Sequence, residues 1–290
     1  MSEERAVVVT GASSGIGLAC VEALVSAGLD PVPMVRNQSD LERLRLRTGK
    51  NLFGLIADVR DGKSITAAAQ ALSAYIGPNT VLFGLVNNAG VAPPGPLMLQ
   101  DFAEWQAVMD INCFGVVRCM QAFGPMMGMR EHVAPRPGRI VNITSIAGQV
   151  GWPYLSAYSA SKHAVEALSD SARRELIAYG IDVIIVGPGA VKTPIWAKAK
   201  TYDLSRYDQT PYAKNLARFV SNIESDGTKG LEASVIGRVV LNALTTNNPK
   251  PRYAPVPRPI AGWLLPRFLP RRWFDALLAK ALGFKAPKSR

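Results

Sequence analysis

Tyr158 and Lys162 stand four residues apart in YSASK, a spacing that puts both side chains on one face of a helix. A phenol with an ordinary pKa near ~10 exchanges protons poorly at neutral pH. An ammonium beside it stabilises the phenolate and lowers that pKa. A nearby hydroxyl, such as Ser145 at the end of the ITS triplet, can hydrogen-bond and polarise a carbonyl oxygen. Hydride transfer to or from carbon needs such a proton donor and polariser at one oxygen.

A second group of residues suits a phosphate. AVVVT runs into GASSGIG, which places Gly11, Gly15 and Gly17 around Ser13, Ser14 and Ile16 between a strand and a helix. Glycine lets backbone approach a pyrophosphate closely, and the helix N-terminus offers free N–H groups to the anion. No Lys-Ser/Thr pair follows the glycines, which disfavours a nucleoside-triphosphate loop of the Walker type. In a dinucleotide fold the ribose reader lies about 20 residues on. There the sequence reads PVPMVRN, with Val35 where an acid would select NAD(H) and Arg36 available to a 2′-phosphate. The cofactor expected is therefore NADP(H) rather than NAD(H).

The elements that must position these groups alternate. Strands are expected at Ala6–Thr10, Pro31–Val35, Leu52–Ile56, Val81–Val86, Arg139–Thr144 and Ile181–Val186, several of them continuous apolar runs. Helices are expected at Ile16–Ala27, Ser39–Leu46, Ser64–Tyr75, Phe102–Met127 and Ala157–Tyr179. The alternation implies an α/β fold, a Rossmann-type doubly wound parallel sheet with helices on both faces, in one domain over residues 1–250. Residues 251–290 read as a Pro-rich, basic and amphipathic C-terminal extension.

Charge and composition exclude several classes. Of 290 residues 48% are apolar, and 33 Lys+Arg against 22 Asp+Glu give +11. Ten basic residues and one acid, Asp275, lie from Lys250 to Arg290, a local +9, whereas 23 basic and 21 acidic residues before them give +2. The body is nearly neutral, so no nucleic-acid partner is expected. Cys20, Cys113 and Cys119 form no CxxC pair and read as buried thiols in a reducing, cytoplasmic compartment. His132 and His163 lack metal-type partners, so no metal is expected, and Glu166 with Asp170 reads as a solvated helix face. The N-terminus carries no signal-peptide pattern, and no apolar run is long enough to span a membrane.

TGASSGIG, NNAG, Asn112, Ser145, YSASK and PGAVKT occur together in the order and at the spacings of the short-chain dehydrogenase/reductase family, which the chain resembles over roughly residues 5–250. Its long C-terminus resembles that of steroid- and retinol-dehydrogenase-like members. The resemblance implies Tyr158 as general acid/base, Lys162 lowering its pKa and binding the nicotinamide ribose, Ser145 on the substrate oxygen, and Asn112 supporting a proton-relaying water. It implies Asp58, beside Val59, at the adenine amino group, and Asn87, Ala89 and Gly90 along the adenine-ribose side. Pro188, Gly189, Val191 and Thr193 would meet the nicotinamide carboxamide. Gly187 departs from the family pattern, where many relatives carry a larger polar residue. Members are commonly dimers or tetramers built on the two long helices, so a homo-oligomer is expected.

The segment 194–230 would cover the substrate, with Gln149, Trp152, Tyr154 and Trp196 as a candidate apolar wall. The substrate expected is a small lipophilic alcohol, aldehyde or ketone. An acyl chain on an acidic carrier protein and a non-catalytic cofactor-binding regulator are the rival readings. In RRWFDALLAKALGF, Trp273, Phe274, Leu277, Leu278, Ala281 and Leu282 form a stripe beside Arg271, Arg272, Lys280 and Lys285. Such a helix suits an anionic membrane surface, a second subunit or a lid over the pocket alike.

Overall fold

A computed structural model describes residues 5–77, 80–129, 137–197, 201–257 and 259–284. His132 and Lys285 lie outside the described residues, as does the side chain of Trp196. The elements run β1 (Ala6–Thr10), α1 (Gly15–Ser26), β2 (Asp30–Val35), α2 (Gln38–Thr48), β3 (Leu55–Ile56), α3 (Gly62–Ile76) and β4 (Gly84–Asn87). Then come α4 (Phe102–Met109), a π turn (Asp110–Phe114), α5 (Gly115–Phe123), β5 (Arg139–Ile143), α6 (Ser156–Glu175) and β6 (Asp182–Val186). The remainder is β7 (Val191–Lys192), α7 (Pro194–Ala197), α8 (Ala213–Thr228), β8 (Leu231–Glu232), α9 (Ala233–Thr245), β9 (Arg252–Tyr253), α10 (Leu265–Phe268) and α11 (Arg271–Leu282).

Seven strands form one sheet in the order β3-β2-β1-β4-β5-β6-β9, and every pairing is parallel. The period-2 alternation of a strand divides the core in two. Val7 and Val9 of β1 face α1, α2 and α9 through Cys20, Leu24, Leu41, Ile236 and Val240. Ala6 and Val8 face α3 and α5 through Ile65, Leu72, Cys119 and Phe123. Strands covered on both faces must be apolar throughout, which is why AVVVT carries no alternation. The strand order reverses between β1 and β4, and at such a point the loops after the two strands diverge and leave a crevice.

Several expectations change. The single helix expected over Phe102–Met127 is broken by the π turn at Asp110–Phe114 and closes in a 3-10 turn at Gly124–Met127. The breakage has a local cause. Gly115 passes so close to Val59 that a Cβ there would lie 2.9 Å from the valine Cβ, and Asn112 is drawn inward to bond Val91. Helices α8 and α9 were not among the expected elements: α8 lies in the segment 194–230 read as substrate cover, and the α9 segment ASVIGRVVLNALT carries five β-branched residues, which lower helix propensity. Its helix packs against α1 at Gly237, where a Cβ would fall 2.4 Å from Ala19 O. The seventh strand, Arg252–Tyr253, comes from the start of the Pro-rich stretch. The excursion between Pro194 and Gly230 is pinned at its two ends, since β7 pairs with β8 and Lys192 meets Glu232 at 2.5 Å.

Candidate active site

The loop after β1 is shaped by its glycines. Gly11 and Gly15 hold φ of 62° and 56°, the left-handed region that a side chain disfavours. A Cβ on Gly11 would lie 2.9 Å from Ala89 Cα, so two backbones meet there. Thr10 Oγ1 accepts from the Asn88 and Ala89 amides at 2.9 and 3.0 Å, tying the loop after β4 to the loop after β1. Gly17 serves packing, since a Cβ on it would fall 2.3 Å from Gly11 O. Ser13, Ser14, Gly15 and Ile16 border a cavity of about 290 Å³. Bare backbone in left-handed turns beside a helix N-terminus is what a pyrophosphate fits.

The same cavity is bordered by Arg36, Asp58, Val59 and Arg60 on one part of its wall and by Ser145, Tyr158 and Lys162 on another. Asp58 is held below the usual carboxylate range, first by its hydrogen bond from Arg60 and, more weakly, by the charge of Arg36. Arg60 Nη2 meets Asp58 Oδ2 at 2.7 Å, so its charge is engaged. Arg36 is exposed, and among the described residues it has no carboxylate partner within ion-pair distance.

Ser145, Tyr158, Lys162 and Asn112 come together around the start of α6. Ser145 caps the turn that follows β5 by accepting from Ala147 N at 3.1 Å, and its hydroxyl hydrogen-bonds the Tyr158 phenol. Lys162, 4% exposed, donates from Nζ to Ile143 O at 2.8 Å and lies 5.8 Å from the Tyr158 ring centre. Burial pushes its pKa down to about 8, and the charge of Glu166 acts against that fall. Tyr158 is raised by burial, with the Ser145 hydrogen bond opposing it. The Lys162 ammonium donates to a backbone carbonyl, and loss of water dominates at the phenol, which is protonated at neutral pH. Asn112 is fully buried in the π turn, where Oδ1 accepts from Val91 N at 2.8 Å and Nδ2 donates to Val91 O and Ser161 Oγ at 2.9 and 3.0 Å. A π turn widens the helix by one residue and lets a side chain bond across it.

Glu166 is not on a solvated face. It sits one turn beyond Lys162 with its carboxylate 13% exposed, and it receives Nε and Nη2 of Arg252 at 3.1 and 2.8 Å. Thr144 Oγ1 and Gln149 Nε2 also donate to it, at 2.6 and 3.2 Å. Asp170, one turn further, pairs with Arg173 and is half-exposed. Gly187 makes the Arg252 position available, because a Cβ on residue 187 would fall 2.4 Å from Arg252 Nη2.

Other expected positions resolve as follows. Ala89, Gly90, Pro188, Gly189, Val191 and Thr193 border the cavity, and a Cβ on Gly90 would stand 3.3 Å from Asn112 Oδ1. Asn87 does not. Its Nδ2 donates to Asn142 Oδ1 at 2.8 Å and braces β4 against β5, while Asn88 borders the cavity. Gln149 turns to Glu166, Trp152 packs edge-on to Phe274 at 6.4 Å, and Tyr154 lies among Tyr212, Phe219 and Phe284. None of these three lines the cavity that holds Tyr158, whose apolar wall comes from Ala92, Ile111, Ile195 and Tyr202. Sequence reading missed Asn88, Arg60 and Arg252, and only Arg60, two residues after Asp58, carried a local signal. Among the described residues no cluster of His, Cys, Asp and Glu could hold a metal ion. Cys20 and Cys119 are buried and pushed up to about 12 by loss of water, as inert thiols are.

Comparison with known proteins agrees with this fold. The family model described as short chain dehydrogenase matches residues 5–203. The NADPH-dependent 3-dehydrocapnine reductase of Ornithobacterium rhinotracheale is 32% identical over 278 residues, covering 96% of this chain and 97% of its own. Retinol dehydrogenase 16 of Mus musculus is 32% identical over 295 residues, covering 97% of this chain and 88% of its own. Among solved structures, a short chain dehydrogenase/reductase from Burkholderia phymatum in complex with NAD superposes with a TM-score of 0.77 at 24% identity, over 96% of this chain and 97% of its own.

Proposed function

The chain belongs to the short-chain dehydrogenase/reductase family, and on that premise we propose that it is an NADP(H)-dependent enzyme for a lipophilic alcohol and its ketone or aldehyde. Oxidoreduction between an alcohol and its carbonyl compound follows from the family. One observation supports the finer reading most: a single cavity is bordered both by Arg36, which has no ion-pair partner among the described residues, and by Ser145, Tyr158 and Lys162.

When bound, the nicotinamide cofactor supplies or accepts the hydride. Ser13, Ser14, Gly15 and Ile16 would hold its pyrophosphate, Arg36 the 2′-phosphate, and Asp58 with Val59 the adenine. Ala89 and Gly90 would lie along the adenosine ribose. Pro188, Gly189, Val191 and Thr193 would hold the carboxamide. Ser145 orients the substrate oxygen by a hydrogen bond. Tyr158, protonated at neutral pH, delivers its proton to that oxygen on reduction and is left as phenolate. On oxidation it first passes its own proton to solvent through the Lys162 relay, and the phenolate then takes the proton of the alcohol. Lys162 fixes the ribose and keeps a positive charge beneath the phenol. Asn112, clamped between Val91 and Ser161, would hold the water that returns protons from solvent to Lys162.

Two relatives named for NADPH-dependent reduction and for retinol support the cofactor and an apolar substrate, as does the wall of Ala92, Ile111 and Ile195. Fluorescence titration with NADPH and NADH tests the cofactor. Arg36→Asp is expected to weaken NADPH binding about tenfold or more while leaving NADH little changed. Equal losses for the two would overturn the assignment.

The C-terminal helix belongs to the same reading. Its inner edge, Phe274, Leu278 and Leu282, turns toward the cluster of Trp152, Tyr154 and Phe219. Trp273 and Leu277 stand 68% and 55% exposed on the outer side, so the expected single stripe is split between two faces. Ile260 and Phe268 are exposed as well, beside Arg267, Arg271, Arg272 and Lys280. Aromatic and basic side chains mixed on one surface suit an anionic lipid headgroup layer. Co-sedimentation with vesicles containing phosphatidylglycerol is expected, and it should fall about tenfold in the triple change Phe268→Ser, Trp273→Ser, Leu277→Ser. A homo-oligomer is proposed as well, with exposed Phe102 and Phe114 flanking a groove on α4 as its contact. Sedimentation velocity decides it.

A further inference from the structure

The Glu166–Arg252 pair lies behind the proposed reacting groups and has no assigned part in the reaction. Its geometry is specific. Arg252 presents Nε and Nη2 as a two-pronged fork to the carboxylate, at 3.1 and 2.8 Å, and both partners are largely buried. The remaining carboxylate positions are filled by Thr144 Oγ1 and Gln149 Nε2. Thr144 immediately precedes Ser145, and Gln149 follows the turn that Ser145 caps. Glu166 therefore holds the Ser145 turn from both sides against α6. The fit is close, for a Cβ on Gly148 would lie 3.0 Å from Glu166 Cγ. Arg252 stands in turn on Trp263, 4.6 Å from the ring centre, in the space that Gly187 leaves open.

We infer that Glu166 is a positioning residue for the proposed reaction, which Arg252 and Gly187 hold in place, and that it fixes the Ser145 turn against Tyr158 and keeps a negative charge one turn behind the Lys162 ammonium. Isolated ion pairs buried this deeply add little to stability over apolar side chains of the same shape. This carboxylate instead acts on its neighbours, accepting from Thr144 Oγ1 and Gln149 Nε2 on either side of the Ser145 turn. The charged and titratable groups around the site are few. Tyr158 and Glu166 flank Lys162 along α6, and Cys113 faces it from the π turn. Asp170 on α6 and Arg267 from the C-terminal segment face Arg252. His163, next to Lys162 on α6, is turned away, with Nδ1 on Ser159 O at 2.8 Å. Of these groups only Glu166 and Cys113 act to keep Lys162 charged, and Cys113 is raised by burial and so stays neutral at physiological pH. Removing the Glu166 charge makes the ammonium harder to keep, so Lys162 loses its proton at lower pH.

This inference rests on the proposed function for its consequence in catalysis, and its test reads the lysine directly. In the full chain carrying 13C-labelled lysine, the Lys162 signal is assigned by its loss in Lys162→Met and titrated by NMR. Glu166→Gln is expected to move the titration down by about one unit or more, and the alkaline limb of the pH–rate profile with it. Glu166→Asp, which keeps the charge on a shorter arm, is expected to hold the titration near its native position while kcat falls. If Glu166→Gln folds poorly because Arg252 is left unpaired, the double change Glu166→Gln, Arg252→Met removes both charges and recovers melting temperature. Its Lys162 titration is expected to stay below the native one. An unmoved titration in a folded Glu166→Gln or double variant overturns the inference and leaves Glu166 a merely structural residue. Native protein without turnover would overturn the proposed function alone.

Discussion

At the residue scale, Lys162 shows how burial and function oppose each other. Its pKa falls from 10.5 to about 8 because the folded chain withdraws the ammonium from water. Between those two values the unfolded chain binds a proton that the folded chain has released. Stability from this group therefore rises as pH climbs through that window, and folding carries its full desolvation cost below it. Lys162→Met removes the cost. The melting temperature of this variant relative to the native chain is expected to fall as pH rises from 7 to 10, because only the native chain gains. Circular dichroism melts at a series of pH values measure it, and a constant gap would contradict the assignment of the shift to burial. Oxidoreductase activity should be lost in the variant at every pH. The YSASK face was legible in the sequence because its spacing is local. Glu166 was not, because its partner Arg252 lies 86 residues away and nothing beside it in the sequence signals burial. Asn87 and Asn88 illustrate the same limit. Two adjacent asparagines look alike in sequence, and strand alternation sends one to the sheet and the other to the cavity.

At the element scale, close backbone approach decides what periodicity could not. Helix α9 reads ambiguously, yet Gly237 lets it cross α1 against Ala19 O. Gly→Ala within a helix ordinarily stabilises by about 1 kcal/mol. Here the added Cβ would meet backbone at 2.4 Å, and backbone of a packed helix cannot move aside cheaply. Gly237→Ala is accordingly expected to destabilise by about 1–3 kcal/mol, read from urea unfolding, and a gain in stability would mean that the crossing is looser than described. The π turn at Asp110–Phe114 belongs to the same scale. A sequence pattern of 3.6 residues per turn runs straight through it, and only the bonds of Asn112 to Val91 and Ser161 reveal the extra residue. Asn112→Leu should leave the Val91 amide and carbonyl unpaired inside the protein. It is expected to lower the melting temperature as well as activity, whereas Tyr158→Phe should lower activity alone.

At the scale of the whole molecule, the parallel sheet and its switch point were legible from the alternation of apolar strands with helices, together with the glycine loop. The last strand was not, for two residues in a Pro-rich stretch carry no strand signal, and β9 is recruited by pairing with β6 and by the Arg252 ion pair. Trp152 and Tyr154, expected at the substrate wall, lie outside the cavity that Tyr158 borders for a related reason. Aromatic residues signal burial but not which cavity they face, and Trp152 and Tyr154 pack beneath α11 instead. The +11 of the chain is likewise a property of place: residues 1–249 are close to neutral and +9 falls in residues 250–290, where Arg271, Arg272 and Lys280 are exposed on α11. No described helix is long and apolar enough to cross a membrane.

The most direct test of the account is NADPH consumption by the full chain with a panel of lipophilic ketones and aldehydes, native against Tyr158→Phe. The native chain is expected to oxidise NADPH with at least one of them, in preference to NADH. Tyr158→Phe should lower kcat about 10²–10⁴-fold while NADPH binding is unchanged. A Tyr158→Phe variant that turns over at the native rate would contradict the central claim.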